Sequence, residues 1–354
     1  MQNLNDLYKE KKLSIADRIK NKLFVWFRLS NKPVVKVYRG YGNPAKFLVF
    51  GHVLHLSAYP RKKYKRGFVK NTFSMLRLFM VKPSKFAKLK LVWDGNTYEA
   101  MTEDDGFYKF EVECKNPLAP GWYNVEVELL DPRYKLKAPG EFFVPYVYEY
   151  AFISDIDDTF LISHSSNLRK RLYVLLTKNA RSRKPFEGVV NHYQLLAATG
   201  AAEHTERAFF FVSSSEWNLY DYILEFARNN KLPKGVYLLN QMKLFHQLWK
   251  TGQNNHATKF MRIARIMEAY PDQKFVLFGD DSQEDPNIYS RIIEYFPGKI
   301  YSVYLRHVHK SNWERVKKIV EKLEALGVRC CYFRHSAEAI AHSKENGLIA
   351  RDIG

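Results

Sequence analysis

Cysteine is scarce: the chain of 354 residues has three, Cys114, Cys330 and Cys331. An odd count with two neighbours excludes a disulfide framework, and the lack of a CxxC spacing argues against a zinc–thiolate site. A reducing cytoplasm is the simplest home, and Cys330 and Cys331, beside an apolar strand, read as core. No run of about 18 residues is both apolar and free of charge, so no membrane-spanning helix is expected. The opening MQNLNDLYKE lacks an apolar h-region, so no secretory signal is expected. Acidic residues are also few: 37 Asp and Glu face 56 Lys and Arg, a net charge of +19. Such a surplus points to a polyanionic partner: nucleic acid, an anionic membrane surface or a phosphorylated substrate. Hydrophobic residues make up 46%, enough for a full core and against global disorder.

Three segments differ in pattern. Residues 1–32 read as an amphipathic helical leader. Ser14 to Asp17 resembles a capping box, and Ile15, Ile19, Leu23 and Trp26 share a face. That face either packs on the protein or lies on an anionic membrane. Residues 33–148 read as short strands (VVKVYRG, FLVFGHVLHL, KLKLVW, YKFEVEC, YNVEVELL). Turn signals separate them at Asp94-Gly95, Asp104-Asp105-Gly106 and Pro120-Gly121, so an antiparallel, sandwich-like domain is expected. Asp104 and Asp105 read as turn residues rather than calcium ligands. RKKYKRGFVK (61–70) is too basic for a buried strand. It reads as a solvated loop, or as a polybasic patch for lipid or single-stranded nucleic acid. From residue 149 to 354, apolar runs alternate with helical patterns, which predicts a parallel sheet in an α/β domain. The helix from Trp313 is marked as the last, with a stripe of Val316, Val320 and Leu323 and a stop at Gly327.

The chemistry gathers at predicted strand ends. FISDIDDTFLIS places Asp155, Asp157 and Asp158 directly after an apolar strand. Ligands of open parallel sheets bind beyond the carboxyl ends of strands. A second cluster, Gly279-Asp280-Asp281-Ser282-Gln283-Glu284-Asp285, follows KFVLF. Two such clusters at one sheet edge can converge on a cation, and oxygen-only ligands favour Mg²⁺ over zinc. Between them AFFFVSSSEWN ends a strand in Ser213, Ser214 and Ser215, hydroxyls suited to phosphate oxygens. Lys259 sits in a helical pattern whose Ile263, Ile266 and Met267 face the core. It can bring positive charge to phosphate and carboxylates.

The ordered set of DxDxT after a strand, Ser after a strand, Lys on a helix and GD…D after a strand resembles the haloacid dehalogenase superfamily. Its finer resemblance is to the actin-patch-associated phosphatidate phosphatases of fungi and their bacterial relatives. ISDIDDT, VSSSEWNLYDYI, RKPFEGV and KFVLFGDDSQEDPNIY carry it, over about residues 149–310. Glu216 stands where that family usually has Pro, Asp281 where it has a small residue, and His256 lies three residues before Lys259 rather than directly before it. Lys250 is the alternative motif lysine.

The resemblance implies a Rossmann-like phosphatase fold and an aspartyl-phosphate mechanism. In that scheme Asp155 is the nucleophile and Asp157 the general acid and base, a role that needs a raised pKa. Ser213 and Lys259 complete the catalytic set. Thr159, Ser214 and Arg183 contact phosphate or substrate, and Asp158 has no assigned role. Mg²⁺ is expected on Asp155, Asp157 (through its carbonyl) and Asp280, with Asp281 or Asp285 close by. A small basic cap insert is expected around residues 162–205, with Arg169, Arg171, Arg181 and Arg183 as headgroup candidates. The implied activity is Mg²⁺-dependent phosphatidate phosphatase at the inner face of a membrane. The alternatives are the same chemistry on a sugar phosphate or nucleic-acid end, or a basic lipid- or nucleic-acid-binding module.

Overall fold

The computed structural model describes residues 29–30, 32–58, 78–146, 150–157, 159, 185–199, 207–242 and 255–350. Residues 1–28 of the expected leader helix, the 61–70 segment, Asp158, Arg183, Lys250 and most of the cap insert lie outside the described residues, while Leu29–Ser30, also expected in the leader, form a strand instead.

Strands β1 (Leu29–Ser30), β2 (Val34–Val37), β3 (Gly40–Gly42), β4 (Lys46–Ala58), β5 (Lys82–Pro83), β6 (Lys88–Trp93), β7 (Asn96–Met101), β8 (Phe107–Glu113), β9 (Gly121–Asp131) and β10 (Tyr134–Val144) form one hydrogen-bonded sheet. Its main order is β1-β4-β3-β10-β9-β6-β7. The expected antiparallel sandwich is therefore corrected to a mixed sheet, because β3 and β10 pair in parallel. Strand β4 is the reason the layers do not separate. It is 13 residues long and pairs with β1, β2, β3, β5 and β8. The Asp94-Gly95 turn is built as expected. Both residues have positive φ, +48° and +73°, which joins β6 to β7 in a two-residue hairpin.

Successive side chains of β4 point to opposite faces. Phe47, Val49 and Val53 enter the core of this sheet with Leu89, Leu91, Phe110, Val127 and Phe142. Phe50 and Leu54 point the other way and join the core of the second sheet. Burial on both faces is why FLVFGHVLHL reads as a near-continuous apolar run. At Gly51 an added Cβ would meet the Lys36 carbonyl oxygen at 1.9 Å, so the close approach of β2 requires glycine there.

The second sheet is all parallel: β11 (Tyr150–Ser154), β12 (Phe209–Glu216), β13 (Val236–Asn240), β14 (Lys274–Asp280), β15 (Ile300–Arg306) and β16 (Arg329–Phe333), in the order β13-β12-β11-β14-β15-β16. Helices α1 (Val189–Ala198), α2 (Tyr220–Asn229), α3 (Asn255–Ala269), α4 (Asp285–Tyr295), α5 (Trp313–Ala325) and α6 (Ser336–Glu345) accompany it. Val316, Val320 and Leu323 bury the stripe of α5, and Gly327 (φ +81°) follows its end. Helix α5 is not the last: α6 follows β16. The chain builds outward from β11 to β13, then returns to β14 on the other side of β11. That reversal leaves a crevice at the carboxyl ends of β11 and its neighbours.

The two sheets share an aromatic contact. Tyr38 stacks on Trp217 at 4.2 Å and 8°, and Tyr41 meets Phe210 edge-on at 5.9 Å. Tyr38 also hydrogen-bonds the His52 Nδ1 at 3.0 Å. At the rim, Glu141 pairs with Arg39 (2.6 Å) and Lys234 (2.7 Å), while the Tyr220 hydroxyl accepts from the Arg39 amide. Tyr38→Ala should therefore cost about 3–5 kcal/mol, as for other large buried aromatics. Tryptophan fluorescence and far-UV circular dichroism should shift to the same lower urea midpoint. Two separated transitions, or unchanged stability, would show that the contact does not couple the sheets.

Candidate active site

Asp155 is the first residue after the central strand β11, and its amide donates to the Phe278 carbonyl of β14 (2.8 Å). Asp280 is the last residue of β14, and Asp285 opens α4, where the helix dipole favours a carboxylate. The turn between them is tight. An added Cβ on Gly279 would lie 2.6 Å from Asp285 Oδ2, so glycine at 279 lets Asp285 fold back over the strand end. The carboxylates of Asp155, Asp280 and Asp285 are buried, with one oxygen from each lying within 4.8 Å of the others.

Lys259 joins this trio from the second turn of α3. Its ammonium, 2% exposed, donates to Asp155 Oδ1 (2.7 Å) and to Asp285 Oδ1. Ile263, Ile266 and Met267 anchor the same helix in the core. Burial pulls the lysine pKa down, but the carboxylates of Asp155 and Asp285 outweigh it, and the ammonium is held charged above its usual range. Burial raises the Asp155 pKa well above the carboxylate range. Asp285 and Asp157 add to that rise, while Lys259 opposes it.

Thr159 bridges the two strand ends, its hydroxyl 3.4 Å from both Asp155 Oδ2 and Asp280 Oδ2. Its carbonyl accepts from the buried guanidinium of Arg306 at 3.1 Å. Asp157 lies outside the acidic trio. Its Oδ2 accepts from the Ser213 hydroxyl (3.1 Å) and the Ser215 hydroxyl (2.5 Å), and the Ser215 amide donates to Ser213 Oγ (2.8 Å). Ser213 thus meets Asp157 directly, whereas Ser214 is half-buried with no contact to the cluster.

Asp281 is not brought to this site. Its Oδ1 accepts from the amides of Val308 (2.8 Å) and His309 (3.0 Å). Its Oδ2 meets His307 Nδ1 (2.6 Å) and the Tyr332 hydroxyl (2.7 Å). Ser215, grouped with its neighbours as a strand-end hydroxyl, joins Ser213 on Asp157. Arg306 belongs to the site without a sequence expectation; its place at the end of β15, a strand of the same sheet, was the available signal.

The acidic trio fits a hard divalent cation. It is all oxygen, and Asp285 Oδ2 is buried without a hydrogen-bond partner. Asp155, Asp280 and Asp285 can hold such an ion. Among the described residues no helix is long and apolar enough to cross a membrane.

Residues 150–307 match the family model described as phosphatidate phosphatase APP1, catalytic domain. The chain is 23% identical over 214 residues to phosphatidate phosphatase APP1 of Saccharomyces cerevisiae, covering 60% of this chain and 35% of that protein. It is 24% identical over 178 residues to an uncharacterized protein of Schizosaccharomyces pombe, covering 50% of this chain and 28% of that one. The chain thus spans about a third of the length of these curated relatives. Among solved structures, a carbohydrate acetylesterase from Xanthomonas citri aligns over 89% of this chain and 75% of its own, at 8% identity and a TM-score of 0.33.

Lys259→Met removes the cation bonded to both Asp155 and Asp285 and leaves buried like charges. In chelator at pH 7.5 it should destabilise the protein by about 3–5 kcal/mol. Without Lys259 the Asp155 pKa rises further in the folded state, above its unfolded value near 4. A folded carboxyl with a raised pKa favours the fold at low pH and loses that contribution as pH climbs through the folded pKa. The stability gap between wild type and Lys259→Met should therefore narrow from pH 7.5 to pH 5 in urea titrations. A gap that widens over that range would contradict the assignment.

Proposed function

We propose that this chain, whose residues 150–307 belong to the phosphatidate phosphatase APP1 catalytic-domain family, is a Mg²⁺-dependent phosphatidate phosphatase of the haloacid dehalogenase type. The observation that carries the reading is the buried Asp155–Lys259–Asp285 cluster at the crevice of the parallel sheet, inside the matched segment. Residues 33–148 serve as a supporting β domain and 149–354 as the catalytic domain in this reading.

Asp155 attacks phosphorus through a carboxylate oxygen, and the bond from phosphorus to the glycerol oxygen breaks. Asp157 gives a proton to the leaving oxygen, releasing diacylglycerol and leaving an aspartyl-phosphate. With Oδ2 held by Ser213 and Ser215, the proton belongs on Oδ1. Asp157 then takes a proton from water as that water attacks phosphorus, and phosphate leaves with Asp155 restored. Lys259 orients Asp155 and offsets the repulsion between a carboxylate and an anionic phosphate. That repulsion is about 4 kcal/mol at 4 Å and an effective dielectric near 20. Asp155, Asp280 and Asp285 would hold Mg²⁺, which would supply further charge neutralisation and Lewis acidity toward the phosphoryl group. The basic net charge suits an anionic bilayer, with the protein acting peripherally at its surface.

The test is phosphate release from phosphatidate in mixed micelles, with and without Mg²⁺. Wild type should release phosphate only with the ion, and Asp155→Asn should lower the rate at least about a thousandfold. Asp155-dependent turnover of a soluble phosphomonoester without turnover of phosphatidate would keep the chemistry and remove the lipid assignment.

A further inference from the structure

The site carries more negative charge than its obvious cations balance. With Asp157 carrying its proton, Asp155, Asp280 and Asp285 remain as buried carboxylates, and a phosphate monoester adds about two negative charges at neutral pH. Lys259 is already bonded to two of the carboxylates. One divalent ion still leaves a surplus of anions once substrate enters, so a further cation near the phosphate would be favourable.

Two arginines are candidates: Arg306, which is buried, and Arg262, which is half-buried with an enclosed Nε. Arg306 is fully engaged. It donates to the Thr159 carbonyl (3.1 Å), Ser336 Oγ (3.0 Å) and the Arg334 carbonyl (3.4 Å), and it lies between the Phe186 and Phe333 rings at 4.6 and 4.8 Å. Arg262 is not. It follows Lys259 by three residues on α3, so the two share a side of the helix. Its guanidinium runs back to the start of the helix, reaching Thr258 Oγ1, next to Lys259 in the chain, at 3.4 Å. Its Nε is buried without a partner, and among the described residues no carboxylate pairs with it. Burial lowers its pKa to about 10, and the opposing influence is the charge of Asp155. An enclosed Nε–H without an acceptor is unfavourable, and an anion reaching the guanidinium would supply one.

We propose, resting on the phosphatase reading above, that Arg262 is a substrate-binding residue that receives the non-bridging oxygens of a phosphate monoester opposite Asp155. A guanidinium suits this role because its planar fork can donate two parallel hydrogen bonds to phosphate. Lys259 then orients the nucleophile, while Arg262 orients the phosphate.

The test pairs a binding readout with kinetics, in the full chain with Mg²⁺. Inorganic phosphate should raise the melting temperature of wild type, and Arg262→Gln should weaken that binding at least about tenfold. The KM for phosphatidate in mixed micelles should rise by a similar factor, with a smaller fall in kcat. Without phosphate, Arg262→Gln should melt at or above the wild-type temperature, because no carboxylate pairing is lost and an enclosed Nε–H without an acceptor has gone. Arg262→Lys keeps the charge without the fork and should bind phosphate with intermediate affinity. Wild-type phosphate affinity in both variants would overturn the proposal. So would a lower melting temperature in Arg262→Gln with phosphate binding retained, which marks a structural role. If wild type binds phosphate through Arg262 yet leaves phosphatidate intact, the substrate reading fails and this one stands. If wild type hydrolyses phosphatidate and neither variant changes KM, this one fails alone.

Discussion

One ammonium among buried carboxylates governs the arrangement of the α/β domain. Asp155 and Asp285 arrive from different elements and would repel each other in a site closed to water. Lys259 lies between them, so the geometry survives only if α3 is held rigidly against the sheet. The apolar face of α3 (Ile263, Ile266, Met267) does that. Gly279 yields the space for Asp285, and Tyr289 in α4 ties its hydroxyl to the Phe278 carbonyl at 2.7 Å, fixing the strand beneath Asp280. The packing of two helices thus sets the positions of three carboxylates.

The mixed sheet is joined to this machinery rather than appended to it. Strand β12 ends in Ser213 and Ser215, which hold Asp157, and two residues after Ser215 comes Trp217, stacked on Tyr38. Asn218 next to it donates to the Leu78 carbonyl (2.9 Å). The turn that carries the serines is therefore braced from the β side by an aromatic stack and a backbone hydrogen bond. Strand β4 makes this possible, since one of its faces fills the core of its own sheet and the other fills the core of the next.

Much of this was legible because strand ends and helix faces follow short periods. The parallel sheet, the ordering of the four chemical segments and the core side of α3 follow from apolar runs of strand length and a 3.6-residue stripe. The closure of the β strands into one sheet did not follow, because pairing partners of a long strand such as β4 are set by tertiary packing. The extra helix α6 was missed because its stretch, SAEAIAHSKE, has a weak apolar stripe. The site residues were separable on a principle already available. Adjacent residues at a strand end face opposite ways, and alternate ones face the same way. Ser213 and Ser215 both reach Asp157, while Ser214 between them does not. Asp280 faces the site, and Asp281 faces away.

The same alternation gives Asp281 a different task. It lies directly after Asp280, and the contacts of its carboxylate come from the segment after β15 and from Tyr332 in β16. Trp313 stacks on that tyrosine at 4.7 Å, which closes the network from the start of α5. A carboxylate that accepts two backbone amides and two side-chain donors satisfies its buried charge without any metal. Its effect on the site passes through the chain. By locking residue 281 to the neighbouring strand ends, it fixes where Asp280 can stand. Two adjacent aspartates of the same chemical type thus divide into one that faces the crevice and one that holds the strand end in place.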